Sequence, residues 1–527
     1  MKGALVIERA RKYLSMWRTV FPILDKAAAR IHSDIPMMAT GSPPDETIDW
    51  QEAGLNIQGD QSLPNMAGIK SSERSPLLGA PASNQNADYN GNPASEDNDD
   101  TLIDFMQINR HQAMMHLLKG NIGTGIMAMP SAIANAGLWV GSIGLAIISV
   151  ITIHCMHLLV NCAHHHRVTN KVPRGQSRQL DYGACGEIAL RHGPIVWLRN
   201  HAQIGRITVN VFLSITQFGF CCVYILFIAK NVKDVFDYAF AYELPVLAYQ
   251  AIVTVFLLPY CCIRQMRHLA YFSTIANVLT IAGLSITFWY CFTHLKHIDK
   301  YPAFNSWGTL PLYFGTAMYA FEGIGVILPI ENKMAVPDYL RGCNGVLNVG
   351  MVIVTCLYIS LGFYGYLTFG PEACDVLGSI TLNLPSKNWL YLAVRLKFSI
   401  AIFISYGLQF YVPLEFMWPP INEKYGDHYP WLRKYGEYIL RCLLVLLTFG
   451  ISASIPHLDL LIALVGALAS SALALIIPPM LELFTRWDGE LGRYNWVLWK
   501  DVAIIIFGLI GFVAGTAVSL MSIIQKF

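Results

Sequence analysis

Two stretches of this 527-residue chain set glycines beside an ionisable residue inside long apolar runs. The first is His116-Leu-Leu-Lys119-Gly120-Asn121-Ile122-Gly123-Thr124-Gly125, followed by Pro130. The second is Tyr319-Ala-Phe321-Glu322-Gly323-Ile-Gly325, followed by Pro329. Glycine at this density breaks a helix more readily than it continues one. A helix interrupted at mid-bilayer bares N–H groups at the start of its second half and carbonyls at the end of its first. The N–H groups carry the positive end of the helix dipole and suit a carboxylate. The carbonyls suit an ammonium group. Such a site holds both ends of an amino acid without a formally charged side chain. One break would contribute Asn121, Ile122, Gly123, Thr124 and Gly125, and the other Tyr319, Phe321, Glu322, Gly323 and Gly325. For a single stretch the plainer reading is close helix packing through small residues. Paired interruptions at matching places in two halves point instead to the central site of a transporter.

The ionisable residues leave several roles open. Glu322 is a neutral acid, a partner for a substrate amine, or a clamp on unwound backbone N–H groups, the clamp being taken first. His116 lies one turn before the first break. With an ordinary pKa of about 6.5, histidine can exchange a proton between an acidic compartment and a neutral one. A lone histidine on a membrane helix also serves for packing alone. Tyr224 and Gln217 in one later apolar run, and Ser405 and Tyr406 in another, are further candidates for the pocket wall. His164-His165-His166 falls in a basic loop and is not read as a metal site. No zinc-ligand spacing, nucleophile motif or paired carboxylates in the apolar runs are seen, so neither an enzyme nor a bound metal or cofactor is expected.

The elements that must position these residues are membrane helices. Hydrophobic residues make up 54 % of the chain and charged residues 14 %, against roughly 25 % charged in a soluble protein. Residues 1–111 hold ten Lys/Arg and fifteen Asp/Glu, and the remainder 27 and 20. The expected organisation is therefore a polar, cytosolic, mostly disordered segment over residues 1–108 and a transmembrane domain over 109–527. Apolar runs of spanning length are expected at 112–137, 138–162, 204–230, 243–262, 268–291, 309–331, 344–369, 390–416, 437–456, 458–482 and 500–524. The two glycine-rich runs are the first and the sixth of these about eleven spans. Each opens a set of five, and five is odd, so the second set is inverted relative to the first. With the N-terminus in the cytosol, 17 Lys/Arg fall in cytosolic loops and six on the other face, which fits the positive-inside rule.

The polar segment carries its own signals. Met1–Phe21 reads as a short basic helix lying on an anionic membrane face. Glu96, Asp97, Asp99 and Asp100 read as a solvated acidic run. Glu73, Leu77 and Leu78 form a dileucine-like sorting signal that endosomal coat adaptors would read. No basic face suited to nucleic acid is present. The twelve cysteines are read mostly as small buried residues, with Cys374 on the far side, and no Asn-x-Ser/Thr acceptor for N-glycosylation occurs.

At these residues the chain resembles the proton-coupled amino acid transporters, solute carrier family 36, within the amino acid/auxin permease superfamily. The likeness runs through Leu117–Gly125, Pro130, Asn135-Ala-Gly137, Thr216–Tyr224, Phe321–Gly325, Leu328–Asn332, Gly378–Pro385 and Leu408–Pro413, and covers roughly residues 110–525. It implies an all-α, LeuT-like 5+5 inverted repeat with broken helices 1 and 6. It implies symport of small neutral amino acids such as glycine, alanine and proline with protons, and it links His116 to proton coupling. Members occupy lysosomal or late endosomal membranes or the plasma membrane, some with a role in growth signalling. The alternative is therefore an amino-acid sensor that reports through its N-terminal segment. A far-side disulfide found in several members is not expected, because the loops at 231–243 and 385–389 lack cysteine.

Overall fold

The computed structural model describes residues 108–169, 180–240, 244–263, 266–370, 378–425, 428–487 and 491–526, with the backbone alone at 266–273 and 493. The sorting signal Glu73/Leu77/Leu78, the basic helix at Met1–Phe21, the acidic run and Cys374 lie outside the described residues.

Among the described residues, eleven helical spans follow one another. Span 1 comprises Arg110–Asn121, Thr124–Met127 and Met129–Ala136, and span 2 is Leu138–Val168. Span 3 is Gln203–Phe240, span 4 Val246–Cys261 and span 5 Met266–Thr293. Span 6 comprises Leu310–Ala320 and Ile324–Lys333. Span 7 is Val346–Phe369, span 8 Trp389–Tyr425, span 9 Glu437–Ser454, span 10 Leu458–Arg486 and span 11 Trp496–Lys526. Among the described residues, nine helices are long and apolar enough to cross a bilayer. Span 4 is shorter, and the interrupted span 1 is divided into pieces. Their outward faces carry exposed large apolar residues, such as Val278 on span 5, Leu446 on span 9 and Val513 on span 11. Such surfaces are stable only against lipid.

Local chemistry sets the ends. Asn109 and Gln112 form a capping box at the start of span 1, and Pro311 sits in the first turn of span 6, where its missing N–H costs nothing. Span 2 continues six residues past its expected end. His164–His166 therefore lie on its last turns and not in a loop. The basic stretch between spans 2 and 3 contains a short buried-faced helix, Tyr182–Arg191, that hydropathy does not reveal.

Span 10 also departs from a plain helix. Residues Gly466–Ser470 and Ala472–Ile476 widen into π-helical turns. Pro478 and Pro479 follow directly and cannot donate to the carbonyls four residues back, so the ladder shifts register ahead of them.

Spans 1, 2, 6 and 7 pack against one another, while span 3 lies along span 8 and span 8 along span 5. Span 10 runs along the first half of span 6. On the face opposite the Arg/Lys-rich loops, the buried Arg395 of span 8 gathers Ile380–Asn383. Its guanidinium donates to the carbonyls of Thr381 at 3.0 Å and Leu384 at 2.6 Å, and pairs with Asp234 of span 3 at 2.6 Å.

Candidate functional site

Both glycine-rich stretches are interrupted where the sequence places the breaks. In span 1 the helix stops at Asn121. Ile122 (φ −85°, ψ 94°) and Gly123 (φ −142°, ψ −141°) are extended, and the helix resumes at Thr124. In span 6 it stops at Ala320 and resumes at Ile324. Phe321 (φ −83°, ψ 14°) and Gly323 (φ −116°, ψ 0°) make a tight turn, in which the Gly323 N–H donates to the Phe321 carbonyl at 2.9 Å.

The two breaks lie against each other. A Cβ on Gly323 would stand 2.5–2.8 Å from the amide atoms of Asn121, and one on Gly125 would stand 2.7 Å from the Cα of Ala320. The Ala320 backbone leaves no room for a side chain at Gly125, and one at Gly323 would have to displace the Asn121 amide, so glycine here serves close approach. The polar groups follow the same crossing. The Thr124 hydroxyl is hydrogen-bonded to the Tyr319 hydroxyl at 2.7 Å. The Tyr224 hydroxyl closes over Gly123, 3.6 Å from the place its Cβ would occupy, and lies beside Gln409 of span 8. Phe220 sets its ring edge-on to Tyr319 with centroids 4.7 Å apart, and Phe321 packs on Tyr358 at 5.1 Å.

Tyr358 of span 7 joins the breaks. Its buried hydroxyl donates to the Asn121 carbonyl and to the Ala320 carbonyl, the latter at 2.8 Å. These are the last carbonyls of the two first half-helices, the negative ends of two dipoles. A single phenolic proton is shared between them. The expectation that these carbonyls stand free for an ammonium is thereby narrowed. Tyr358 already occupies one lone pair on each, and a carbonyl oxygen has two.

The clamp expected at Glu322 has no hydrogen bond to support it. Among the described residues, neither of its carboxylate oxygens has a hydrogen-bond partner, and the side chain is buried. It faces the Ser470 hydroxyl of span 10 without hydrogen-bond geometry, and that hydroxyl is itself buried and unpartnered. Gln217 is buried on span 3 with its Oε1 unpartnered. Gly325 is half-buried, and a Cβ there would meet only the Leu213 methyl, at 3.0 Å. Ser405 is not brought to either break by any hydrogen bond. Its hydroxyl donates to the Ala401 carbonyl one turn back, and Gln409 is the residue of span 8 that reaches Tyr224. Tyr406 is hydrogen-bonded to Thr448 of span 9 at 2.8 Å.

His116 sits outside this cluster. The buried face of the first half of span 1 carries Ala113, Leu117 and Asn121, while His116 is exposed with Lys119 and Lys333 as its charged neighbours. The far end of span 6 is tied down by an ion pair. Arg167 of span 2 donates to the buried Glu331 at 3.2 Å and to Asn332 at 2.9 Å. Tyr358, Gln409, Ser470 and the Arg167–Glu331 pair are the contributors that sequence reasoning did not single out. Gln409 and Glu331 lie within the strings that carry the family resemblance.

A membrane bundle in which two crossing helices are both interrupted, with buried polar groups gathered at the crossing, is the build of a transporter. The comparisons with known proteins name its kind. The family of transmembrane amino acid transporter proteins matches residues 106–521, and the chain belongs to that family. It is 34 % identical over 417 residues to the proton-coupled amino acid transporter-like protein pathetic of Drosophila melanogaster, covering 79 % of this chain and 86 % of that one. It is 29 % identical over 428 residues to the probable amino acid transporter skat-1 of Caenorhabditis elegans, covering 79 % and 90 %. Among solved structures it is similar to MhsT in complex with L-phenylalanine, with a TM-score of 0.43 and 14 % identity over 79 % of this chain and 99 % of that one.

Proposed function

We propose that this transporter moves small neutral amino acids of the glycine, alanine and proline type by symport with protons. The observation that carries the reading is the crossing of two interrupted helices through glycine, which leaves backbone as the principal ligand for a zwitterion. The first N–H groups of the helix resuming at Thr124 have no acceptor within that helix and would receive the substrate carboxylate. The second lone pairs of the Asn121 and Ala320 carbonyls would receive the ammonium. Tyr224, Tyr319 and Phe220 limit the space for a side chain, which favours small substrates.

The N-terminus is proposed to be cytosolic, and the protein to work at a lysosomal, late endosomal or plasma membrane. His116, exposed on span 1, would exchange protons with solvent. A two-unit pH gradient supplies about 2.7 kcal/mol per proton, enough for about a hundredfold accumulation of a neutral solute. Alternating access would rock spans 1, 2, 6 and 7 against the remainder. Uptake of labelled glycine, alanine and proline into proteoliposomes tests this. Accumulation should follow an imposed pH gradient, and flux indifferent to the gradient would refute coupling.

One observation favours a second role as a sensor. Ile108, at the end of the N-terminal segment, forms a parallel bridge with Met334 just past span 6. Its N–H donates to the Lys333 carbonyl at 2.8 Å, and its carbonyl accepts from Ala335 at 3.3 Å. Motion of the second half of span 6 would be felt at Ile108, and the sorting string Glu73, Leu77 and Leu78 is proposed to answer to coat adaptors. Deleting residues 1–105 should leave transport intact and abolish any signal to partners. Transport lost together with signalling would contradict a separate reporting role.

A further inference from the structure

We propose that the proton coupled to transport is held by Glu322, with Ser470 across from it as its hydroxyl partner. This deepens the symport reading and rests on it. Glu322 occupies the turn between the two halves of span 6, buried, with both carboxylate oxygens unpartnered among the described residues. A carboxylate held dry without a cation or donor is strongly unfavourable, so the arrangement is stable with the carboxyl neutral. Arg167 of span 2 is engaged by Glu331 and Asn332 instead.

Ser470 supplies the second observation. Ser142, Ser214, Ser399, Ser405 and Ser471 each donate to the carbonyl four residues back on their own helices. Ser470, like Ser519 of span 11, does not, and its buried hydroxyl faces Glu322. It closes the first π-helical turn of span 10, so the residue that would accept this local bond is displaced from its usual place. The pair thus spans the interface between the interrupted span 6 and span 10. A proton there bonds to a carboxyl lone pair, the hydroxyl completes the shell, and no bond in the substrate changes.

The groups around the pair are few. Among the described residues, Tyr182, on the short helix Tyr182–Arg191, is a titratable side chain in the field of Glu322, and its hydroxyl donates to the Leu473 carbonyl at 2.7 Å. Asn121 of span 1 lies against the adjacent Gly323. Lys119 and His116 lie on the turns of span 1 before the break, and neither is hydrogen-bonded to the carboxyl. In this arrangement His116 is the exposed exchange point, and Glu322 is the dry holding point.

The experiment is accumulation of labelled alanine by reconstituted full-length protein under a two-unit pH gradient, read as the final inside-to-outside ratio. Wild type should approach about a hundredfold. Glu322→Gln should settle near a ratio of one however slowly it gets there, and Glu322→Asp, which keeps an ionisable group, should accumulate above one. Should Glu322→Gln fail to fold, Ser470→Ala should move the pH of half-maximal uptake by about half a unit or more. A wild type that does not accumulate refutes the symport reading itself. A wild type that accumulates, with Glu322→Gln accumulating equally or Ser470→Ala leaving the pH profile unmoved, overturns the role of this pair. Accumulation driven by a sodium gradient at equal pH would also overturn it, because the pair would then be a metal-cation site.

Discussion

The break in span 1 and the break in span 6 look alike in sequence and differ in build. The first is opened by two extended residues, Ile122 and Gly123, which remain half-buried between the buried Asn121 and Thr124. Gly123 has no side chain, so the surface it leaves accessible is backbone. The second is a closed turn, with the Gly323 N–H returned to the Phe321 carbonyl and with Phe321, Glu322 and Ile324 all buried. Surface open to solvent and lined by peptide dipoles suits a ligand that comes and goes. A dry turn around a lone carboxyl suits a proton. In the proposed function the two interruptions divide the labour of one site, the first binding substrate and the second holding the proton.

The comparison is broken most severely by filling the crossing. Gly125→Val places its Cβ where the Ala320 backbone already stands, so no rotamer relieves it. Overpacking of this kind costs about 1–3 kcal/mol, and transport should fall by about a hundredfold or more in an uptake assay. Gly325→Ala meets only the end of a Leu213 side chain, which can shift, and should stay within a few-fold of wild type. Equal damage from both would show that the crossing is not the sensitive place.

Tyr358→Phe attacks what the two breaks share. It leaves two buried carbonyls without their donor, at a cost of about 1–3 kcal/mol, read as a lower thermal unfolding midpoint in detergent. An unchanged midpoint would mean that the shared hydroxyl does not hold the breaks together. Thr124→Val removes the bond to Tyr319 at the substrate side and should raise KM about tenfold, or about 1.4 kcal/mol, while the pH dependence of accumulation is kept. A changed pH dependence with constant KM would reverse the assignment of the two breaks.

The smallest effect lies away from both. His457, in the loop between spans 9 and 10, has its pKa held below the ordinary histidine value by burial, with Lys526 next in weight. The folded state therefore favours the neutral ring. Its contribution to stability is complete above about pH 6.5 and is lost as pH falls through the lowered value. Thermal unfolding measured from neutral to acidic pH should show this decline, and His457→Gln should flatten it. An identical decline in the variant would assign the acid sensitivity elsewhere. The control matters because it separates acid effects on stability from acid effects on coupling at Glu322.

Much of this was readable from the chain. Glycine spacing located both breaks to within a residue or two, because a missing Cβ and a weak helix propensity are local properties. Apolar run length gave eleven spans for the same reason. What could not be read depends on neighbours far along the chain. Nothing in the string around Tyr358 marks its hydroxyl as bridging carbonyls 237 and 38 residues away. A clamp and an unpartnered acid have the same local sequence at Glu322, and only the position of span 10 distinguishes them. The π-helical turns had a signal in Pro478-Pro479, whose effect on the preceding carbonyls is physical and was not drawn from the apolar pattern. Ser405 was selected for being polar in an apolar run, yet its hydroxyl is satisfied within its own helix.

The most direct test of the division between the two breaks is an experimental structure of the protein with alanine bound. The account predicts the alanine carboxylate within hydrogen-bond distance of the N–H groups of Gly123, Thr124 and Gly125, its ammonium near the Asn121 and Ala320 carbonyls, and Glu322 still buried away from it. Alanine paired through its ammonium to the Glu322 carboxylate, with the span 1 amides unoccupied, would contradict it.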